Sequence, residues 1–88
     1  MTNDRTSIEN TIKNKIIELV SALGEDASSL ASDEIIPATG LIDSAGLLEL
    51  IAWYEQHFKL KLAPEDVSID NLGSLSRMAD FVLERTGR

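Results

Sequence analysis

Ile8, Ile12, Ile16, Leu19, Val20 and Leu23 recur at i, i+4, i+8, i+11, i+12 and i+15. That spacing follows the 3.6-residue turn of an α-helix and gathers the apolar side chains into one stripe. A helix with one apolar face has to bury it against another element, so this stripe commits the chain to helix packing. Thr6 with Glu9 three residues later predicts a capping box at the start, and Gly24 predicts the stop. At 88 residues the chain makes a single domain, residues 1–88 with a core over about 6–85. A domain of this size buries about 60–65% of its unfolded surface, so the core is modest.

Residues 25–42 read as a long connection, with Glu, Asp, Ser and Ala in its first part and Pro37 and Gly40 punctuating the rest. Long loops in small domains are either disordered or functional, and Leu30, Ile35, Ile36, Leu41 and Ile42 predict an ordered one anchored to a core. A second helix is expected right after Asp43, whose carboxylate suits an N-cap. Leu47, Leu50, Ile51, Tyr54 and Phe58 form its core stripe; Leu48 and Trp53 sit off that stripe. Gly46 in its first turn costs up to about 1 kcal/mol relative to alanine. Phe58-Lys-Leu-Lys-Leu62 alternates like a strand but has no partner strand, so it reads as an extended connector with two buried leucines. Pro64-Glu-Asp-Val67 predicts the opening of a short helix. Ser74 predicts the cap of a last helix with Leu75, Met78, Ala79 and Val82 inward and Thr86-Gly87 at its end. The expected fold is all-α: a four-helix bundle of three main helices plus a short third one, with a long first loop.

The composition, 43% hydrophobic and 26% charged, is that of an ordinary soluble globular chain. Without cysteine and with one histidine, the chain offers neither disulfides nor the common zinc constellations, so no metal is expected. No apolar run approaches the roughly 20 residues that span a bilayer, and the N-terminus does not open like a signal peptide. A cytoplasmic location without membrane insertion is therefore expected. Residues 1–24 and residues 59–88 are each electrically balanced, whereas residues 25–58 hold seven acids and no Lys or Arg. The whole net charge of −7 sits in that middle segment, which would repel nucleic acid and attract basic protein surfaces. Plain solubility explains such a segment equally well.

Catalysis by the chain itself is not expected. Ser44 and His57 lie 13 residues apart on one helix. That puts them about 20 Å apart along the axis and roughly 200° around it, so no serine–base pair forms. No carboxylate spacing marks an acid–base pair, and glycine-rich phosphate loops and EF-hand loops are absent. What remains is Gly40-Leu-Ile-Asp-Ser44, ending at a helix start. A serine at the first helical position has its hydroxyl outside the hydrogen-bonded body of the helix, within reach of another enzyme. A phosphodiester formed there would sit at the positive end of the macrodipole. Taken alone, an Asp-Ser pair is also simply a cap followed by a tolerated first-turn serine.

The wider pattern resembles the acyl carrier protein superfamily, which includes peptidyl, aminoacyl and D-alanyl carriers, over roughly residues 8–84. The resemblance rests on Thr39-Gly-Leu-Ile-Asp-Ser44, on Glu49-Leu-Ile51 and Glu55-Gln-His-Phe58, and on Asn71-Leu-Gly-Ser-Leu75 opening the last helix. It implies that Ser44 receives 4′-phosphopantetheine from coenzyme A through a phosphopantetheinyl transferase, and that Asp43 caps the helix and helps that transferase dock. It further implies that the arm's thiol carries an acyl or aminoacyl group, which explains thioester chemistry in a chain without cysteine. Ala45, Leu48, Glu49, Ala52 and Gln56 fall on the face that such carriers offer to partners: the transferase, an acyl- or aminoacyl-activating ligase or transferase, and downstream biosynthetic enzymes. Fatty-acid carriers usually have Leu-Gly before the Asp-Ser pair and leucine after it, where this chain has Gly40-Leu41-Ile42 and Ala45. The string is similar to D-alanyl carriers and to discrete carriers of secondary metabolism, such as those for methoxymalonyl or aminoacyl units. A monomer suffices for this role. The contrasting expectation is a helical interaction module that shares the fold and carries no arm. Trp53 is expected half-buried against the loop or at a partner contact, and His57 as a solvated or satisfied side chain.

Overall fold

The computed structural model describes residues 5–86, apart from the side chains of Pro37, Ser44 and Thr86. Four helices follow one another, α1 (Arg5–Ser21), α2 (Ser44–Phe58), α3 (Ile69–Leu72) and α4 (Leu75–Thr86), with 3₁₀ turns at Ile36–Thr39 and Pro64–Asp66. No strand occurs among the described residues. This is the expected all-helical bundle of three main helices and a short third one.

The period of α1 does what it predicts: Ile8, Ile12, Ile16 and Val20 are buried, and α1 packs against both α4 and α2. The helix ends in a Schellman arrangement. Gly24 takes φ 82°, its amide donates to the Ser21 carbonyl, and the Glu25 amide donates to the Val20 carbonyl. Leu23 therefore lies beyond the helix and is 63% exposed rather than in the core. The capping box at Thr6 does not form either, because the chain is already helical at Arg5. Glu9 instead pairs with Arg5 at 3.1 Å, and Arg5 reaches across to Asp80 at 3.3 Å and to the Ser76 hydroxyl.

The long connection is ordered because it supplies part of the core. Ala27, Leu30, Ile36 and Ile42 are buried and Leu41 packs partly against them, while Ile35, expected as an anchor, is exposed. Two backbone bonds sew this segment to the far side of the bundle: Ile36 N–H to the Gly73 carbonyl at 2.7 Å, and Ser76 N–H to the Ser32 carbonyl at 2.9 Å.

On α2, Leu50 and Tyr54 are buried and Leu47 and Phe58 pack partly on the core, as the stripe predicts. Ile51, assigned to the same stripe, instead lines a depression beside α3. The connector expected to be extended from Phe58 begins later, since Phe58 is still in α2 and Lys59 is its left-handed cap; residues 60–63 are neither helix nor strand, with Leu60 and Leu62 partly rather than fully buried. Pro64 opens a 3₁₀ turn and not the short helix. The Asp66 carboxylate is engaged there by the Ala63 amide at 3.0 Å and by Arg85 at 3.1 Å. The short helix starts later, behind Ser68, whose hydroxyl accepts the Asn71 amide. Ser74 caps α4 as predicted by accepting the Arg77 amide at 3.2 Å. Leu75, Met78, Ala79 and Val82 point inward, joined by Phe81. Gly87, expected to close α4, lies outside the described residues.

Candidate functional site

The approach to Ser44 is built one residue at a time. The Thr39 hydroxyl donates to the Ile36 carbonyl at 2.7 Å and accepts the Leu41 amide at 3.2 Å, holding the end of the 3₁₀ turn. Gly40 follows at φ 75°. A β-carbon there would meet nothing within 4 Å, so the glycine serves the backbone angle rather than a lack of space. The chain reverses and drives Leu41 and Ile42 toward the core, with Ile42 8% exposed. Those two anchors leave Asp43 outside, where its Oδ1 accepts the Gly46 amide at 2.8 Å and its carbonyl accepts the Leu47 amide at 2.9 Å. The side-chain bond satisfies one of the four unpaired first-turn amides, and the carbonyl accepts the first intrahelical bond. Residue 44 is the first residue of α2. The expectation for its hydroxyl concerns a side chain outside the described set.

Ala45, Leu48, Glu49, Ala52 and Gln56 are all exposed, Leu48 at 69%. Their spacing puts them on one face of α2, opposite Leu50 and Tyr54. Shallow depressions border this face on both sides. One, of about 480 Å³, lies between the end of α1 and the start of α2, and Asp43, Ala45, Gly46 and Glu49 form its α2 wall. The other, of about 190 Å³, lies between α2 and the 67–73 segment and is lined mainly by Leu47, Ile51, Val67, Ile69 and Leu72. Among the described residues neither Asp43 nor Glu49 makes an ion pair. Trp53 is half-buried: Lys15 Nζ of α1 lies 5.9 Å from its ring centroid, and His57 stacks on it at 4.8 Å.

A family model described as a phosphopantetheine attachment site matches residues 14–82. The chain belongs to this family. Neither a curated protein nor a solved structure matches it. As a member of the phosphopantetheine attachment family, within the acyl carrier superfamily, it is a carrier of covalent 4′-phosphopantetheine. Membership also brings a transferase that attaches the arm and enzymes that handle what the arm carries. Among the described residues no helix is long and apolar enough to cross a membrane.

The residues present fit such a group. A 15-residue helix begins at residue 44, the flanking Asp43 and Ala45 are exposed, and the dipole at that end favours a phosphate. Sequence reasoning located this spot and the outer face of α2, and it missed both bordering depressions. The assignment of Leu23 and Ile51 to core stripes hid them. The apolar Val67 and Ile69, standing in a segment read as connector and helix start, were the available signal.

Proposed function

We propose that Ser44 is the residue that takes 4′-phosphopantetheine from coenzyme A, through a dedicated phosphopantetheinyl transferase that Asp43 helps to dock. When bound, the arm supplies a terminal thiol on which an acyl or aminoacyl group rides as a thioester. The chain then acts as a monomeric, cytoplasmic, non-catalytic shuttle between an activating ligase or transferase and downstream biosynthetic enzymes. Ala45, Leu48, Glu49, Ala52 and Gln56 form its partner face. The observation that carries this reading is the position of residue 44 at the first turn of α2, between an exposed capping aspartate and an exposed alanine, inside the matched segment. The string Gly40-Leu-Ile-Asp-Ser-Ala-Gly46 supports secondary metabolism or aminoacyl and D-alanyl transfer over housekeeping fatty-acid synthesis.

Incubation with coenzyme A and a broad-specificity phosphopantetheinyl transferase should add one phosphopantetheine to the intact mass. Ser44→Ala should stay at the unmodified mass while keeping the wild-type helical circular dichroism. A wild-type chain whose mass does not change would falsify the assignment. Intact mass of protein isolated from its native host, arm and cargo included, distinguishes aminoacyl from malonyl-type and short acyl loads.

A further inference from the structure

The far end of α2 carries a cationic and aromatic patch that neither the core nor the partner face accounts for. Trp53, the single tryptophan of the chain, is half-buried there. Exposed His57 stacks on it at 4.8 Å between ring centroids, and Phe58 meets both rings edge-on, 6.0 Å from Trp53 and 4.8 Å from His57. Lys15 of α1 brings its Nζ to 5.9 Å from the indole centroid, within cation–π reach. Beyond the helix, burial alternates: Leu60 and Leu62 turn partly onto the core and leave Lys59 and Lys61 exposed. Lys59 holds φ 57°, at a helix end where glycine is the usual residue. A lysine there destabilises the turn, and a side chain held against the preference of its backbone points to a use outside the fold.

Two carboxylates near the patch in the chain are already engaged. Glu18 pairs with Lys15 at 3.7 Å, and a Glu55 carboxylate oxygen accepts the Leu62 amide at 3.1 Å. Lys59 and Lys61 make no ion pair among the described residues. We propose that this patch docks a short acidic peptide segment of a partner protein, one that carries an apolar side chain among its carboxylates. The carboxylates meet Lys59, Lys61 and Lys15, and the apolar side chain meets the Trp53 and Phe58 rings. Asp43 and Glu49, the unpaired acids of α2, lie about 21 Å and about 12 Å from His57 along the helix axis. Both spans exceed the screening length of about 8 Å at physiological salt. A short segment therefore meets the local positive charge, whereas an extended anionic surface such as a membrane meets the whole net charge of −7. The patch stands at the opposite end of α2 from residue 44, so the proposal does not depend on the assignment of Ser44.

The test uses the full chain and a dye-labelled eight-residue peptide of alternating glutamate and leucine. Binding is read by fluorescence anisotropy and by the emission of Trp53, which reports on this patch alone. The peptide should bind with a Kd below about 1 mM at about 100 mM sodium chloride, and at least about fivefold more weakly at about 500 mM. Lys59→Gly and Lys61→Gln should each weaken binding about threefold, and together about tenfold. Lys59→Gly also relieves the left-handed angle, so unfolding does not explain its weaker binding. Arg77→Gln, at an exposed cation beside α3 rather than in the patch, should leave the affinity as it was. No response in anisotropy or Trp53 emission up to about 1 mM peptide overturns the proposal. Equal binding of the same peptide with glutamine in place of glutamate overturns it as well, and so does an equal loss on Arg77→Gln. Vesicles of phosphatidylglycerol that bind more tightly than the peptide, with the same dependence on Lys59 and Lys61, would make the partner a lipid surface and also sink it.

Discussion

Lys59 holds the backbone angle its side chain least favours, φ 57° and ψ 47°, in the left-handed region at the end of α2. The turn is required because the Leu60 amide must reach back to the Glu55 carbonyl at 2.9 Å. A β-carbon in that region costs roughly 1–2 kcal/mol. Lys59→Gly should therefore stabilise the chain by about 0.5–1 kcal/mol after the extra entropy of the unfolded glycine is counted, seen as a higher urea midpoint at unchanged slope. Tyr54 poses the opposite problem, a polar atom in a buried place. Its hydroxyl donates to the Met78 carbonyl at 2.8 Å and stitches α2 to α4. Tyr54→Phe removes that bond and should cost about 0.5–1.5 kcal/mol. Burial also drives the hydroxyl well above the usual tyrosine value, with the Arg85 charge opposing it weakly. The folded chain thus binds this proton more tightly than the unfolded chain. The stabilisation is complete below an unfolded pKa of about 10 and declines as pH rises beyond it. Urea midpoints compared on either side of that value should drop for the wild type and drop less for Tyr54→Phe.

At the scale of elements, α3 is the weak member. It is a single turn with only Leu72 buried, and Ile69 is 56% exposed. An isolated turn has no cooperative stability of its own. It is held by neighbours: the Asn71 side-chain amide donates to the Asp66 carbonyl, and Gly73 accepts from Ile36. Gly73 has no room for a side chain, since a β-carbon would collide with the Ile69 carbonyl oxygen and lie 2.8 Å from Ile69 Cγ2. Hydrogen exchange over minutes to hours should show the amides of residues 69–72 opening at least about tenfold faster than those of Ile12 and Ile16 in α1. Equal protection would mean that α3 opens only with the whole bundle. The same element shows why its boundary was hard to read. Proline at a first turn followed by two acids fits an α-helix and a 3₁₀ turn equally well. The choice went to the 3₁₀ turn through the bonds that the Asp66 carboxylate accepts from the Ala63 amide and from Arg85, a residue 19 positions away.

Across the whole molecule, charge and ion pairing are segregated. The acids in the ion pairs of the described residues are Glu9, Glu18, Asp66 and Asp80, and none belongs to the segment 25–58 that carries the net charge. Those unpaired acids repel one another and weaken the folded state. Raising sodium chloride from about 20 to about 300 mM should screen that repulsion and lift the melting temperature by roughly 2–5 °C. A flat or falling melting temperature would show that the segment's charges are too dispersed to matter.

The sequence by itself determined the helical class, three of the four helix positions, the cap at Asp43 and the place of residue 44 at a helix start. These depend on repeats and caps that act within a few residues, where the side chain and the backbone it serves are neighbours in the chain. Only the tertiary structure decided which apolar residues stay in solvent. Leu23 and Ile51 keep the helical period, yet one lies past a helix stop set by Gly24 and the other looks onto a one-turn helix too short to cover it. Burial depends on what packs opposite, and a local period carries no record of that.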